Sequence, residues 1–116
     1  MTITPTRTDN ISGGNFLYTW TSLLSADATG AGVEIPGAAD KTVQLIANTA
    51  GSATCTIEGS NDNSTWTTLH QADGTAASFT ATGICCIIEN PRYIRAKLTT
   101  AGSGADWTVV LLARTT

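Results

Sequence analysis

Charged side chains are scarce in this chain of 116 residues. Asp, Glu, Lys and Arg together make up 13% of the sequence, about half of the share that is usual in soluble domains. Only six residues are basic, too few for the basic surface that nucleic acid binding normally requires. No stretch approaches the roughly 18 consecutive apolar residues of a membrane-spanning helix. The sequence therefore predicts neither a nucleic acid partner nor a membrane.

Sequence motifs for catalysis are missing as well. The single histidine, His70, stands before the turn sequence QADG, and a lone histidine at a strand end is more often a surface residue than a catalyst. Nucleophile-elbow, zinc-protease and Cys-x-x-Cys patterns do not occur. The stretch NDNST begins like a calcium loop, but Trp66 and Ala72 stand where its glycine and glutamate are needed. We expect no enzyme, no cofactor and no metal site.

The three cysteines do not form a disulfide framework. Their number is odd, and Cys85 and Cys86 are adjacent, while Cys55 lies far from them in the sequence. We expect three free thiols that pack as small hydrophobic side chains. The first ten residues, MTITPTRTDN, contain no hydrophobic signal region. Both observations favour folding in a reducing cytoplasm.

Short strand-like runs dominate the chain, and helical periodicity is nearly absent. Turn sequences such as PGAAD, SNDNS, QADG and AGSGAD separate the runs. This spacing predicts an all-β protein, an antiparallel β-sandwich of about eight short strands with a jelly-roll or immunoglobulin-like arrangement. Residues 1–15 contain Pro5 and show no apolar alternation. They are predicted to form an extended N-terminal arm, followed by a sandwich domain over residues 16–116. The runs are NFLYTWTSLL, GVEI, KTVQLIAN, ATCTIEG, TWTTL, ASFTAT, ICCIIE, YIRAKLTT and WTVVLLAR.

Alternation within the runs assigns side chains to faces. In YIRAKLT, it places Ile94, Ala96 and Leu98 in the core. The runs ICCIIE and WTVVLLAR are apolar on both faces, so part of their surface needs cover from a second layer or another subunit. Tyr93, Arg95 and Lys97 are predicted to face solvent or a partner, and Ile46 lies on the face opposite the core residues of its strand. The side chains that need cover in the two-faced runs are Ile87, Val110 and Leu112.

The aromatic residues favour a core role. Phe16, Tyr18 and Trp20 alternate on one face of a strand, which is more typical of a core stripe than of a sugar-binding surface. Trp107 begins the last apolar strand and is predicted to close one end of the core. Trp66 follows a polar loop, and a core position is favoured over an exposed ring. In the alternative interpretation, as a carbohydrate-binding module, the stacking candidates are Trp66, Tyr93 and Trp107.

Two segments carry a resemblance to a known class of proteins. GSATCTIEGSNDNSTWTTL, followed later by NPRYIRAKLTTAGSGADWTVVLLAR, is similar to small β-sandwich proteins of tailed bacteriophages, over about residues 43–114. The resemblance implies a structural role in the virion, most like that of a capsid decoration (cement) protein. In that case the stretch SNDNS is a hairpin turn, whose Asn and Asp residues tolerate left-handed conformations.

The resemblance also implies partners and a location. A decoration protein binds the outside of a phage head and stabilises it, so we expect the major capsid protein and further copies of the chain, as a trimer, to be its partners. The arm is expected to carry much of the attachment. The alternative is a carbohydrate-binding or receptor-binding sandwich module of a phage tail or fibre. Candidate capsid or subunit contacts are Ile3, Arg7, Ile11, Ile46, Tyr93, Arg95, Lys97, Val110 and Leu112.

Overall fold

The computed structural model describes residues 2–11, 15–24, 29–35, 40–99 and 104–114, and within these ranges all regular structure is strand. Nine of the strands coincide with the runs predicted from the sequence. The three additional strands are β1, β2 and β4. In chain order the strands are β1 (Thr2–Ile3), β2 (Thr6–Ile11), β3 (Asn15–Leu24), β4 (Thr29–Gly30), β5 (Val33–Glu34), β6 (Asp40–Thr49), β7 (Thr54–Ser60), β8 (Thr67–Thr68), β9 (Ser78–Phe79), β10 (Gly83–Cys86), β11 (Tyr93–Thr99) and β12 (Asp106–Arg114).

The strands form two sheets that pack as a sandwich. The five-stranded sheet has the order β10-β6-β12-β3-β2 and is antiparallel throughout. The seven-stranded sheet follows the path β1-β4-β11-β7-β8, with β5 also paired to β11 and β9 also paired to β7. Its pairs are antiparallel except β1 with β4, which is parallel. The predicted all-β sandwich is confirmed. Described residues include no helix long and apolar enough to cross a bilayer.

The core lies between the sheets and is filled by alternate residues of the long strands. Ile94, Ala96 and Leu98 are buried, as their alternation predicted. Trp20 and Trp107 are the largest fully buried side chains. Their indole N–H groups donate to the carbonyls of Ala31 and Ala50 at 3.0 and 3.1 Å, which satisfies the one polar atom that each ring buries. The predicted core role of Trp107 is confirmed.

The N-terminal segment belongs to both sheets. Strand β1 pairs with β4, and the Ile3 carbonyl accepts a hydrogen bond of 2.7 Å from the Ala31 amide. Strand β2 pairs with β3 at the edge of the five-stranded sheet. A division between an arm at 1–15 and a domain at 16–116 therefore does not follow the hydrogen bonding of the chain. Alternation gave no sign of these strands, because edge pairing uses backbone groups and needs little apolar side chain.

The run ICCIIE has one face buried by the rest of the chain and one face exposed. Ile87 is only 2% exposed, because residues 70–71 pass beside it: Gln71 forms a bridge with Ile87, and the Ile88 amide donates to the His70 carbonyl at 3.0 Å. Ile87 is thus covered within the chain, which is one of the two kinds of cover that its run was predicted to need. Among the described side chains, the exposed isoleucines are Ile84 and Ile88, at 62% and 50%.

All three cysteines are free thiols, as predicted, but they differ in burial. Cys55 and Cys85 are buried within the sandwich. Burial raises the pKa of the Cys55 thiol to about 12 and is the main reason that the pKa of Cys85 rises to about 11. Cys86 is exposed, so its prediction as a packed hydrophobic side chain is wrong.

Candidate functional site

The middle of the outer face of the five-stranded sheet is built from uncharged side chains. Strand register aligns them in rows, because residues that are paired across neighbouring strands point to the same face. We call this surface the neutral face. One row consists of Ile84, Gln44, Val110, Thr19 and Thr6. The next consists of Cys86, Thr42, Leu112, Leu17 and Thr8, and a third begins with Ile46 and Thr108.

Charged and polar pairs limit the neutral face at its two ends. Beyond the second row, Arg114 Nη1 lies 3.8 Å from Asp40 Oδ2 in an exposed ion pair. At the other end, the Asn48 amide donates to the Thr108 hydroxyl at 3.1 Å. A partner that covers the rows in between buries no ion, so the desolvation cost of a charge does not oppose the contact.

Three of the predicted contact residues meet on this face. Ile46, Val110 and Leu112 are half-buried and lie on neighbouring strands. The structure adds Ile84, the most exposed large hydrophobic side chain among the described residues, together with the thiol of Cys86. A signal for this addition was present in the sequence, because ICCIIE is apolar on both faces of its strand.

The outer face of the seven-stranded sheet has a different chemistry. Tyr93, Arg95 and Lys97 alternate outward along β11, as predicted. Arg95 is already engaged within the chain: its Nε and Nη2 atoms lie 2.9 and 2.8 Å from Glu58 Oε1. Its guanidinium also lies 4.2 Å from the ring centroid of Trp66, a favourable cation–π arrangement. Arg95 thus connects β11 with β7 and with the loop before β8.

The stacking candidates do not form one surface. Trp107 is fully buried, so its prediction as a stacking residue is wrong. Trp66 is half-buried, with Arg95 over its ring, and a Cβ on Gly32 would lie 2.6 Å from its Cη2 atom. The ring of Tyr93 faces the guanidinium of Arg92 at 5.2 Å. A carbohydrate platform made of these three rings is therefore excluded.

The predicted contacts in the N-terminal segment are used inside the fold where they are described. Ile3 is half-buried and packs against the core. Arg7 donates to the Tyr18 hydroxyl at 3.2 Å, and its guanidinium lies 4.7 Å from the ring centroid of Phe16. Ile11 ends β2, but its side chain lies outside the part of the molecule that the structure describes.

The hairpin predicted at SNDNS is confirmed, since β7 and β8 pair in antiparallel fashion around it. The Asp62 carboxylate organises the loop by accepting from the amides of Thr65 and Ser64 at 2.7 and 2.9 Å, and from the Ser60 hydroxyl at 2.7 Å. These hydrogen bonds, that of Thr65 first, hold the pKa of Asp62 well below its usual range. Asn63 has a left-handed φ of 58°, which asparagine tolerates better than most residues.

A cleft of about 390 Å³ opens beside this hairpin. Its walls come from the end of β7, the loop, β8 and the segment before β11. We call it the hairpin cleft. Its lining consists of Gly59, Ser60, Asn61, Thr65, Thr67, Thr68, Leu69, His70, Glu89, Asn90 and Pro91.

Charged groups fix the polar side chains at the rim of the hairpin cleft. The Glu89 carboxylate accepts from the His70 backbone amide at 2.8 Å and contacts His70 Nδ1 with its other oxygen. Burial alone would raise the pKa of Glu89, but the hydrogen bonds from His70 bring it below its usual value. Behind the cleft, the buried Lys41 donates from Nζ to Asn90 Oδ1 at 2.5 Å. Burial lowers the pKa of Lys41, despite the opposing effects of Cys86, Asp40 and Glu89.

Comparison with known proteins places the fold. No family model matches the sequence, and no curated protein matches it. Among solved structures, the SPBc2 prophage-derived protein YomS is similar over 94% of this chain and 93% of its own, with a TM-score of 0.61 and 13% identity. The PBSX exported protein XepA is similar over 85% of this chain, with a TM-score of 0.59 and 15% identity. The chain spans 38% of the length of XepA. The fold is shared with prophage-derived proteins. At the level of fold, the expected similarity to phage β-sandwich proteins is confirmed.

Proposed function

We propose that this chain is a structural protein of a phage virion and, within that class, a capsid decoration protein that binds the outside of the head. The observation that carries the proposal is the match in fold with YomS, which extends over nearly the whole of both chains. Because the match covers both chains almost completely, a sandwich of this size is encoded as a protein of its own in a prophage.

The surface chemistry supports an assembling protein rather than a freely diffusing one. Charged residues make up 13% of the sequence, and the rows of the neutral face consist of Thr, Gln, Cys and aliphatic side chains. We propose that the neutral face joins copies of this chain in a trimer. In a closed trimer, one part of the neutral face of each copy meets a different part of that face on the next copy. Because neither part carries charge, no like-charge repulsion opposes the contact, and closed symmetry hides the apolar residues of every copy.

On this proposal the major capsid protein binds the assembled unit through surfaces outside the neutral face. A decoration protein then acts by linking neighbouring capsid subunits, so it needs a rigid scaffold but no catalytic centre. The protein is located on the capsid surface after synthesis in the host.

An addition experiment tests the proposal. Heads purified from a phage that lacks this gene are mixed with the purified chain, pelleted through sucrose and heated. We expect saturable binding in a fixed ratio to the major capsid protein and a higher temperature of head disruption. The contradicting result is a chain that stays in the supernatant when it is mixed with expanded heads. The concentration of the chain in this mixture is set well above that in the infected cell.

A further inference from the structure

We propose that the hairpin cleft is a binding site for a neutral saccharide. The inference goes beyond the proposed role in the virion and does not depend on it, because it rests on the groups that line the cleft. It also differs from the aromatic platform that the sequence suggested, since none of the lining residues is Trp, Tyr or Phe.

Two amide side chains in the cleft have their oxygens fixed and their N–H groups left for a ligand. Asn61 Oδ1 accepts from the Arg92 backbone amide at 2.9 Å, and Asn90 Oδ1 accepts from Lys41 Nζ at 2.5 Å. Among the described residues no protein group accepts from either NH₂ group. Because their oxygens are held by the protein, both amides are preoriented as donors.

Acceptors and an apolar surface complete the site. The Glu89 carboxylate keeps spare acceptor capacity beside its contacts with His70. The hydroxyls of Thr67 and Thr68 can donate or accept. Leu69 and Pro91 approach each other so closely over Gly59 that a Cβ there would lie 2.7 Å from both, and they give the cleft its apolar part.

This combination matches a sugar ring better than other ligand classes. A pyranose carries neighbouring hydroxyls that donate and accept at once, and its C–H groups pack against apolar surface. An anion would meet the carboxylate of Glu89, while the nearby cation of Lys41 is buried behind Asn90. A cation would have to compete with His70 for Glu89. The volume of about 390 Å³ is sufficient for one or two sugar residues.

The test is a titration of the ¹⁵N-labelled full chain, monitored by backbone amide shifts. The probes are methyl α-glucoside, methyl β-galactoside and N-acetylglucosamine. We expect at least one of them to give saturable shifts confined to residues 59–70 and 89–92, with a Kd in the millimolar range that is common for shallow sites, about 4 kcal/mol. Absence of saturable shifts in this region with all three sugars at about 50 mM would overturn the proposal.

Two isosteric substitutions test the donors directly. Asn61→Asp and Asn90→Asp keep the oxygen that binds Arg92 or Lys41 and replace only the NH₂ group. Each is expected to weaken binding of the sugar at least tenfold. Asn61→Asp should leave the melting curve nearly unchanged, whereas Asn90→Asp sets a carboxylate against the buried Lys41 and should shift it. Asn63→Asp is the matched control, because Asn63 lies in the same loop but does not line the cleft. Unchanged affinity in both cleft variants, or an equal loss in the Asn63 control, would show that the amides do not bind the ligand.

Discussion

At the scale of single residues, the three thiols occupy distinct environments that alkylation can distinguish. Cys86 is exposed, whereas burial raises the pKa of Cys55 to about 12 and accounts for most of the rise in Cys85 to about 11. Because the thiolate is the reactive form, we expect iodoacetamide to modify Cys86 about a hundredfold faster than the other two. Because the proposed trimer would cover Cys86, the reaction is run on the monomeric Val110→Glu and Leu112→Glu double variant. Mass spectrometry should show one adduct on that folded chain and three in denaturant.

The Cys86→Ser variant is the control for this assignment, and it should give no adduct in the native state over the same period. Two or three adducts that form on the native chain at similar rates would mean that the sandwich opens far more readily than its packing indicates.

Lys41 is a second residue whose environment has a measurable consequence. Its side chain is fully buried, and burial lowers its pKa from the ordinary value of 10.5. Between the lowered value and 10.5 the unfolded chain binds more protons than the folded one, so the contribution of Lys41 to stability rises with pH in that window. The Lys41→Met variant removes this titration. We expect it to be at least as stable as the parent at neutral pH, because apolar replacement of a buried ion is often neutral or stabilising.

The measurement for Lys41 is the free energy of unfolding in urea for parent and variant, at neutral pH and at about pH 10. The parent should gain on the variant as the pH rises. A difference between the two proteins that stays constant, or that moves in the variant's favour, would contradict the assignment of Lys41 as a buried group with a lowered pKa.

At the scale of elements, the first dozen residues can be tested as either an independent arm or a part of the fold. Ile3 packs on the core, and β2 pairs with β3 as the edge strand of the five-stranded sheet. Deletion of residues 1–12 is therefore expected to reduce the free energy of unfolding by about 2 kcal/mol, the scale of one partly buried isoleucine together with the pairing of two strands. Thr6→Ser, a substitution on an exposed position of β2, should leave stability unchanged. A truncated chain that melts within a few degrees of the parent would restore the interpretation of this segment as an independent arm.

The elements also show what the sequence could and could not predict. Long strands such as β3 and β12 coincide with their predicted runs, because their alternation reflects a core on one side. Strand β4 contains two residues, and its Gly30 lies against Trp20 so closely that a Cβ would be 2.7 Å from the indole Cδ1. A close contact between residues far apart in the chain leaves no pattern in the local sequence. A strand of two residues is also too short to show the alternation of apolar and polar side chains.

The two candidate sites also differ in how far the sequence predicts them. The neutral face was partly predictable, since Ile46, Val110 and Leu112 violate the alternation expected of a solvated strand. The run ICCIIE could not reveal which of Ile84 and Ile87 is exposed, because it is apolar at both parities. The hairpin cleft combines groups from three separate segments, so only the folded chain brings Asn61 and Asn90 together.

At the scale of the whole molecule, the neutral face makes a prediction about assembly. We expect the 12.0 kDa chain to sediment as a trimer at about 50 μM. The double substitution Val110→Glu and Leu112→Glu places like charges on every copy, a juxtaposition that costs several kcal/mol, and should yield a folded monomer. Lys97→Glu, on the other sheet, is the control and should leave the trimer intact. A parent chain that sediments as a 12.0 kDa monomer would refute self-association through this face.

The central claim is that this chain is a decoration protein of a phage head, and the copy number in purified particles tests it most directly. Quantitative mass spectrometry of particles banded in a density gradient gives the molar ratio of this chain to the major capsid protein. A decoration role predicts a fixed ratio close to a simple fraction, set by lattice positions over the whole shell, and its retention in heads separated from tails. A ratio of a few copies per particle, recovery with the tails alone, or absence from the particles would contradict the account.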